Sequence, residues 1–142
     1  MRALLDVNVL IALLDADHSL HARATQWLED NGHAGWASCP ITQNGCVRIM
    51  SHARYTNALP VQTVIARLAE ACAGGFHEFW PDDLSLLDAQ VADPMRIHGP
   101  RQVTDVYLVS LAVRHGGQLV TLDRSVANAA VVGAEKRHVL VL

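Results

Sequence analysis

Lysine is almost missing from this chain. Lys136 is the only one in 142 residues, and the 11 basic residues are outnumbered by 14 acids, for a formal net charge of −3. Such a chain has no global attraction for nucleic acid, so any handling of RNA or DNA has to rest on a local basic rim and a bound cation, not on a basic coat. Cysteine is scarce too. Cys39, Cys46 and Cys72 make an odd count with no C-x-x-C pair, which argues against a disulfide framework or a thiolate zinc site and leaves buried reduced thiols. No apolar run is long enough to span a bilayer, and Met1-Arg2 leads straight into an apolar stretch without a basic leader region. The expected location is therefore the cytoplasm, with no membrane as a partner. Neither G-x-x-x-x-G-K-S/T nor G-x-G-x-x-G occurs, and no serine has the G-x-S-x-G setting of a hydrolase nucleophile. What is present, 51% hydrophobic and 18% charged residues, fits one domain with one core over residues 1–142.

The chain is organised around its opening stretch, Ala3-Leu4-Leu5-Asp6-Val7-Asn8-Val9-Leu10. A short apolar run broken by a carboxylate reads as a buried parallel strand ending near Asp6. In open α/β sheets the ligand crevice lies beyond the carboxyl ends of the strands, which puts Asp6 at its floor. A partly desolvated carboxylate there has a cation as its natural partner.

Further along, Asn8 serves as N-cap for a short helix, and a second helix is expected from about His18 to Asp30, with Leu20, Ala24, Trp27 and Leu28 on one face. Trp36 to Cys39 reads as a strand, and Pro40 opens a helix carrying Ile41, Val47, Ile49 and Met50. Val61, Val64, Ile65, Leu68 and Cys72 stripe another helix, and Phe76 to Trp80 reads as a strand. A short helix is expected over Asp83 to Val91 and a loop over Asp93 to Gln102. A buried helix over Val106 to Val113 follows, with Thr104 as its N-cap. Gln118 to Leu122 is a second buried strand with Asp123 just past it, and His138 to Leu142 is the last. The order β-α-α-β-α-α-β-α-α-β-α-β argues an α/β domain with a mostly parallel central sheet flanked by helices on both faces.

Asp6 and Asp123 thus occupy equivalent places after two strands, and Asp105 opens the helix directly before the second of them. Taken singly, Asp105 also fits a helix-start charge and Asp123 a turn residue. Three acids pointed at one end of a small sheet repel one another, and a divalent cation cures that. All-oxygen ligation by carboxylates and water is the chemistry of Mg²⁺ or Mn²⁺, which can promote attack of water on phosphorus.

Three segments make the pattern specific. Leu4-Leu5-Asp6-Val7-Asn8-Val9-Leu10, Val103-Thr104-Asp105-Val106-Tyr107-Leu108 and Leu119-Val120-Thr121-Leu122-Asp123-Arg124-Ser125 resemble the signature segments of PIN-domain ribonucleases, and the chain is most similar to the VapC-type toxins of bacterial toxin–antitoxin pairs. The resemblance covers essentially the whole chain. It implies an endoribonuclease with an acidic cluster that holds Mg²⁺ or Mn²⁺ and a metal-activated water. Asp6, Asp105 and Asp123 would be the catalytic and metal-site acids, with Asn8, Thr104 and Thr121 supporting them by hydrogen bonds. It further implies an RNA substrate, a cognate antitoxin that occludes the site, and a homodimer, for which the short apolar helices of the first half offer a face. One departure stands out. The family usually places a glutamate in the helix after the second strand, and the nearest matching position here is Gln43, in a helix without any acid. A neutral amide adds no charge to a metal, which puts a two-metal mechanism in question and motivates a second reading, a module that binds RNA or a partner without cutting.

Arg48 and Arg124 are the basic residues nearest the acids in sequence, and either can grip a phosphate bidentately or sit on the surface. His18 and His21 have zinc-like spacing but no second pair, so a solvated helix face accounts for them better. Trp27, Trp36 and Trp80 fall within apolar patterns and read as core or interface. A phosphatase with Asp6 as nucleophile wants a second acid two residues on, where the chain has Asn8, and a suitably placed lysine, which it lacks.

Overall fold

Each apolar run that ends in a polar residue becomes a short strand. The computed structural model describes all 142 residues, in the order β1 (Ala3–Leu5), α1 (Val7–Leu14), α2 (His21–Asn31), β2 (Trp36–Ser38), α3 (Pro40–Met50), α4 (Val61–Cys72), β3 (His77–Phe79), α5 (Val103–Arg114), β4 (Gln118–Thr121) and β5 (Val139–Val141). The strands form one sheet in the order β3-β2-β1-β4-β5, and every pairing is parallel rather than mostly so. Alternation along the strands builds two cores, one on each face. Leu4, Ala37 and Leu119 pack with α5 through Val106, Leu108, Val109 and Leu111. Ala3, Leu5 and Val120 pack on the opposite face with Val9 and Leu10 of α1, Cys46 and Met50 of α3, and Val64 and Leu68 of α4. The three cysteines are free thiols, two of them fully buried. No helix is long and apolar enough to cross a membrane.

The sheet order positions the site. From β1 the chain winds outward through β2 to β3, then returns to lay β4 on the other side of β1. The direction of winding reverses between β1 and β4, where the crossovers diverge and open a crevice at the strands' carboxyl ends. The register pairs Leu5 with Val120, so the residues that leave that edge are Asp6 from one strand and Thr121, then Asp123, from the other.

Five local expectations are corrected. The N-cap of α1 is Asp6, whose own carboxylate takes the Val7 N–H, and not Asn8. The second helix starts at His21, because His18 turns back to accept the Leu20 N–H and His21 bonds the Ala12 carbonyl. Residues 83–91 are turns, not a helix, and Leu87 stands 97% exposed there. The helix expected between the last two strands is also replaced by turns, with only a 3₁₀ turn at Lys136–His138. Thr104 is not a cap either: α5 begins at Val103, after a 3₁₀ turn over Pro100–Gln102, with Gln102 at the cap position. The far end of α5 stops where Gly116 takes a φ of 63°, a left-handed turn that glycine adopts without strain.

Candidate active site

Asp6 is 7% exposed and spends both carboxylate oxygens on protein donors. Oδ1 accepts the Val7 N–H at 2.7 Å, as a helix cap does, and Oδ2 accepts the Thr121 hydroxyl at 2.7 Å. Thr121 is fully buried at the end of β4 and uses everything a hydroxyl offers. While donating to Asp6 it accepts from Asn8 Nδ2 at 3.1 Å and from the Asp123 N–H at 3.1 Å. Asn8 closes the ring, its Oδ1 accepting the Leu122 N–H at 3.0 Å. One threonine therefore stitches the loop after β1 to the loop after β4, across the point where the sheet order reverses.

The electrostatics of the three acids differ. Burial pushes the Asp6 carboxyl up, against the bonds from Thr121 and Val7, and the Asp123 charge adds to the rise. Asp123 is exposed and held below the usual range, first by the Ser125 hydroxyl at 2.7 Å and then by the Ser125 N–H at 2.8 Å. Asp105, in the first turn of α5, is pushed up to about 6 by burial, then by the charges of Asp6 and Asp123, and no hydrogen bond opposes the shift. It is an uncompensated carboxylate between two others.

That arrangement fits a hard divalent cation, because the donors are all oxygen and a positive charge would relieve the strain on Asp105. Asp6, Asp105 and Asp123 would hold it. The acids do not form a closed cage: no three acidic, histidine or cysteine side chains stand close enough to hold an ion alone. Water or phosphate oxygens would have to complete the shell, which suits Mg²⁺, an ion that keeps several waters.

The remaining sequence-derived residues lie elsewhere. Gln43 commits its amide to Ser38, donating to Oγ at 2.9 Å; Ser38 in turn bonds His77 Nε2 at 2.8 Å. The cause is the packing of α3. Gly45 is pressed so closely on Val7 that an added Cβ would lie 2.7 Å from it, so this face meets α1, and Gln43, Val47 and Ser51 line the groove against α4 instead. Thr104 is exposed and makes no bond to the acids; Arg124 is exposed beside Asp123. Ser125 was missed as a partner of Asp123, although an aspartate followed two residues later by serine is a recognisable turn signal. Asp15 was missed as well. It is 8% exposed and tied by Tyr55 Oη, by Asn57 Nδ2 at 3.3 Å and by the Asp17 N–H at 3.0 Å.

Comparison with known proteins now adds to this geometry. The PIN domain family model matches residues 3–132. The chain belongs to the PIN-domain family. Its relatives in Mycobacterium tuberculosis include Ribonuclease VapC44, 53% identical over 142 residues and all of both chains. Ribonuclease VapC39 is 42% identical over 134 residues, 94% of this chain and 96% of the relative. Ribonuclease VapC38 is 43% identical over 129 residues, 90% of this chain and 89% of the relative. The crevice between β1 and β4 thus lies within a PIN domain, and the match to Ribonuclease VapC44 spans the full chain, all three acid-bearing segments included.

Proposed function

We propose that this protein is a metal-dependent endoribonuclease, the toxin of a toxin–antitoxin pair, with Asp6, Asp105 and Asp123 as its metal-holding acids. The observation that carries the reading is the placement of Asp6 after β1, Asp123 after β4 and Asp105 at the start of α5 in a PIN domain, with Asp105 acted on by both other charges and pushed up to about 6. A Mg²⁺ or Mn²⁺ ion bound there would neutralise the acids, activate water and offset charge developing on the scissile phosphate. The chain's own residues do the positioning. Thr121 and the Val7 N–H fix the Asp6 carboxylate, Asn8 fixes Thr121, and Ser125 keeps Asp123 ionised. Single-stranded or looped RNA is the expected substrate, because unstacked bases are the ones side chains can read. A cognate antitoxin covering the crevice, a homodimer and a cytoplasmic site of action belong to the same reading.

A second reading, RNA binding without cleavage, draws on one observation: Gln43 faces Ser38 and brings no fourth acid to the crevice. One assay separates the two. Purified protein is incubated with structured RNA and Mn²⁺, Mg²⁺ or EDTA, beside Asp6→Asn. Metal-dependent cleavage lost in the variant is the expected result. Binding with no cleavage in either metal would replace the first reading by the second.

A further inference from the structure

Away from the acids, at the end of α3, Arg48, Ile49, His52, Arg54 and Tyr55 line a shallow depression of about 330 Å³. Its charge is of one sign. The ion pairs of the molecule belong to Arg2, Arg96 and Arg137, so Arg48 and Arg54 are exposed cations with no carboxylate partner. The nearby Asp15 does not serve them, since its hydrogen bonds come from Tyr55, Asn57 and Asp17 and the cation acting on it is His18. His52 is oriented: its Nδ1 accepts the Arg54 N–H at 3.0 Å, which leaves Nε2–H as a donor in the neutral ring. With its hydroxyl committed to Asp15, Tyr55 offers the depression its ring. The depression therefore brings together three exposed side chains that can donate hydrogen bonds with the apolar surface of Ile49 and Tyr55.

We propose that this depression is a subsite for the RNA backbone, with Arg48, Arg54 and His52 gripping phosphate and Tyr55 and Ile49 supporting a sugar or base. The inference rests on the reading that RNA is the substrate. An acidic crevice in a chain of net charge −3 repels a polyanion, so affinity for RNA has to come from basic groups outside it. One helix links the two places. Pro40 starts α3 just after Ser38, at the strand edge that carries the acids, and Arg48 lies eight residues along, about 12 Å of helix rise. A strand of a few nucleotides covers that distance. A flat ring beside a phosphate matches an apolar surface beside cations better than an acidic peptide does. Arg48 alone could serve the helix C-terminus through the macrodipole, but Arg54 lies four residues beyond Met50, where that effect has died away.

The test is fluorescence anisotropy of a labelled single-stranded RNA across a salt series, in EDTA so that nothing is cut, with wild type, Arg48→Ala/Arg54→Ala and Arg48→Lys/Arg54→Lys. The alanine pair is expected to bind at least about tenfold more weakly. Its slope of log K against log salt should be shallower by about 1.4, for two lost contacts. The lysine pair should recover most of that slope, and all three proteins should share one melting temperature. Wild-type affinity and slope in the alanine pair would overturn the subsite, as would a wild type that binds no RNA. So would an alanine pair that keeps RNA but loses an antitoxin or polyglutamate, which would make the depression a surface for an acidic protein. Arginine-dependent binding by a wild type that cuts nothing when Mg²⁺ or Mn²⁺ is restored would uphold the subsite while refuting the catalytic reading.

Discussion

Two aspartates in this molecule expose almost equally little surface and are opposite in character, Asp6 lying deep in the fold and Asp15 close beneath its surface. Asp6 is 7% exposed and its carboxyl is pushed up; Asp15 is 8% exposed and its carboxyl is held down. Around Asp15 the donors win: the Tyr55 hydroxyl above all, then Asn57 and a backbone N–H, with His18 adding positive charge. Around Asp6 burial wins, and the Asp123 carboxylate adds to the rise. Similar exposure therefore does not mean equal role, because depth and donors differ. A buried carboxylate whose neighbours satisfy it fastens structure, here joining the end of α1 to the segment between α3 and α4. A deeply buried carboxylate that also feels a neighbouring negative charge is tolerated at a cost to stability even when hydrogen-bonded, and a bound cation would relieve that cost.

The largest effect that would break this contrast is on catalysis. Asp6→Asn is expected to lower metal-dependent RNA cleavage at least about 100-fold, since even outer-shell partners of metal ligands are worth 10- to 100-fold. The same change should cost only about 1 kcal/mol of stability, because the amide oxygen keeps the Val7 cap and repulsion is relieved, while the NH2 loses the Thr121 hydroxyl. A variant that keeps full activity would move the site elsewhere.

Thr121→Val comes next. It strands Asp6 Oδ2, Asn8 Nδ2 and the Asp123 N–H at once, and urea unfolding should show a loss of about 2–3 kcal/mol along with weaker cleavage. Asn57→Ala removes a side-chain donor of Asp15 and should cost about 1 kcal/mol while cleavage per folded molecule stays the same. Parallel losses of activity in Asn57→Ala and Thr121→Val would erase the distinction between the two regions.

Smallest is the pH dependence, where the two places have opposite signs. Asp105 has a folded value of about 6 against 3.8 unfolded, so the native state binds the extra proton and the stability of metal-free protein falls as pH rises from about 4 to 6. Asp105→Asn should remove that decline and raise stability at pH 7 by about 1 kcal/mol, after allowance for solvent screening. Asp15 is shifted the other way. Its contribution is fully present above 3.8 and is lost as pH falls through its lower native value. Urea midpoints measured from pH 3 to 8 with EDTA would show both trends, and a curve unchanged by Asp105→Asn would contradict the first.

What could be read from the sequence divides along physical lines. Asp6 and Asp123 were legible because a strand buried on both faces has to be apolar throughout, so the first acid after it marks the carboxyl end. Asp105 was legible as an acid opening a buried helix. The direction of Gln43 was not, because it depends on which face of α3 meets Val7, a matter of the close approach at Gly45 that no periodicity reveals. Nor was the cap of α1, since Asp6 and Asn8 are both good capping residues and only the register between β1 and β4 assigns Asn8 to Thr121 and Leu122. The stretch at 83–91 has helical spacing, yet Pro81 and Pro94 bracket it and the chain lies over the sheet as turns, burying Ala92. Asp15 went unread because its partners are 40 and 42 residues away.

The central claim is that the carboxylates at the reversal of the sheet await a cation, and calorimetric titration of Mn²⁺ at pH 6 in two buffers of different ionisation enthalpy tests it directly. Asp105, half-protonated there, should release about half a proton as the ion binds, and Asp105→Asn should abolish that release and weaken the affinity. Binding with no proton release, or equal affinity in the variant, would contradict the account.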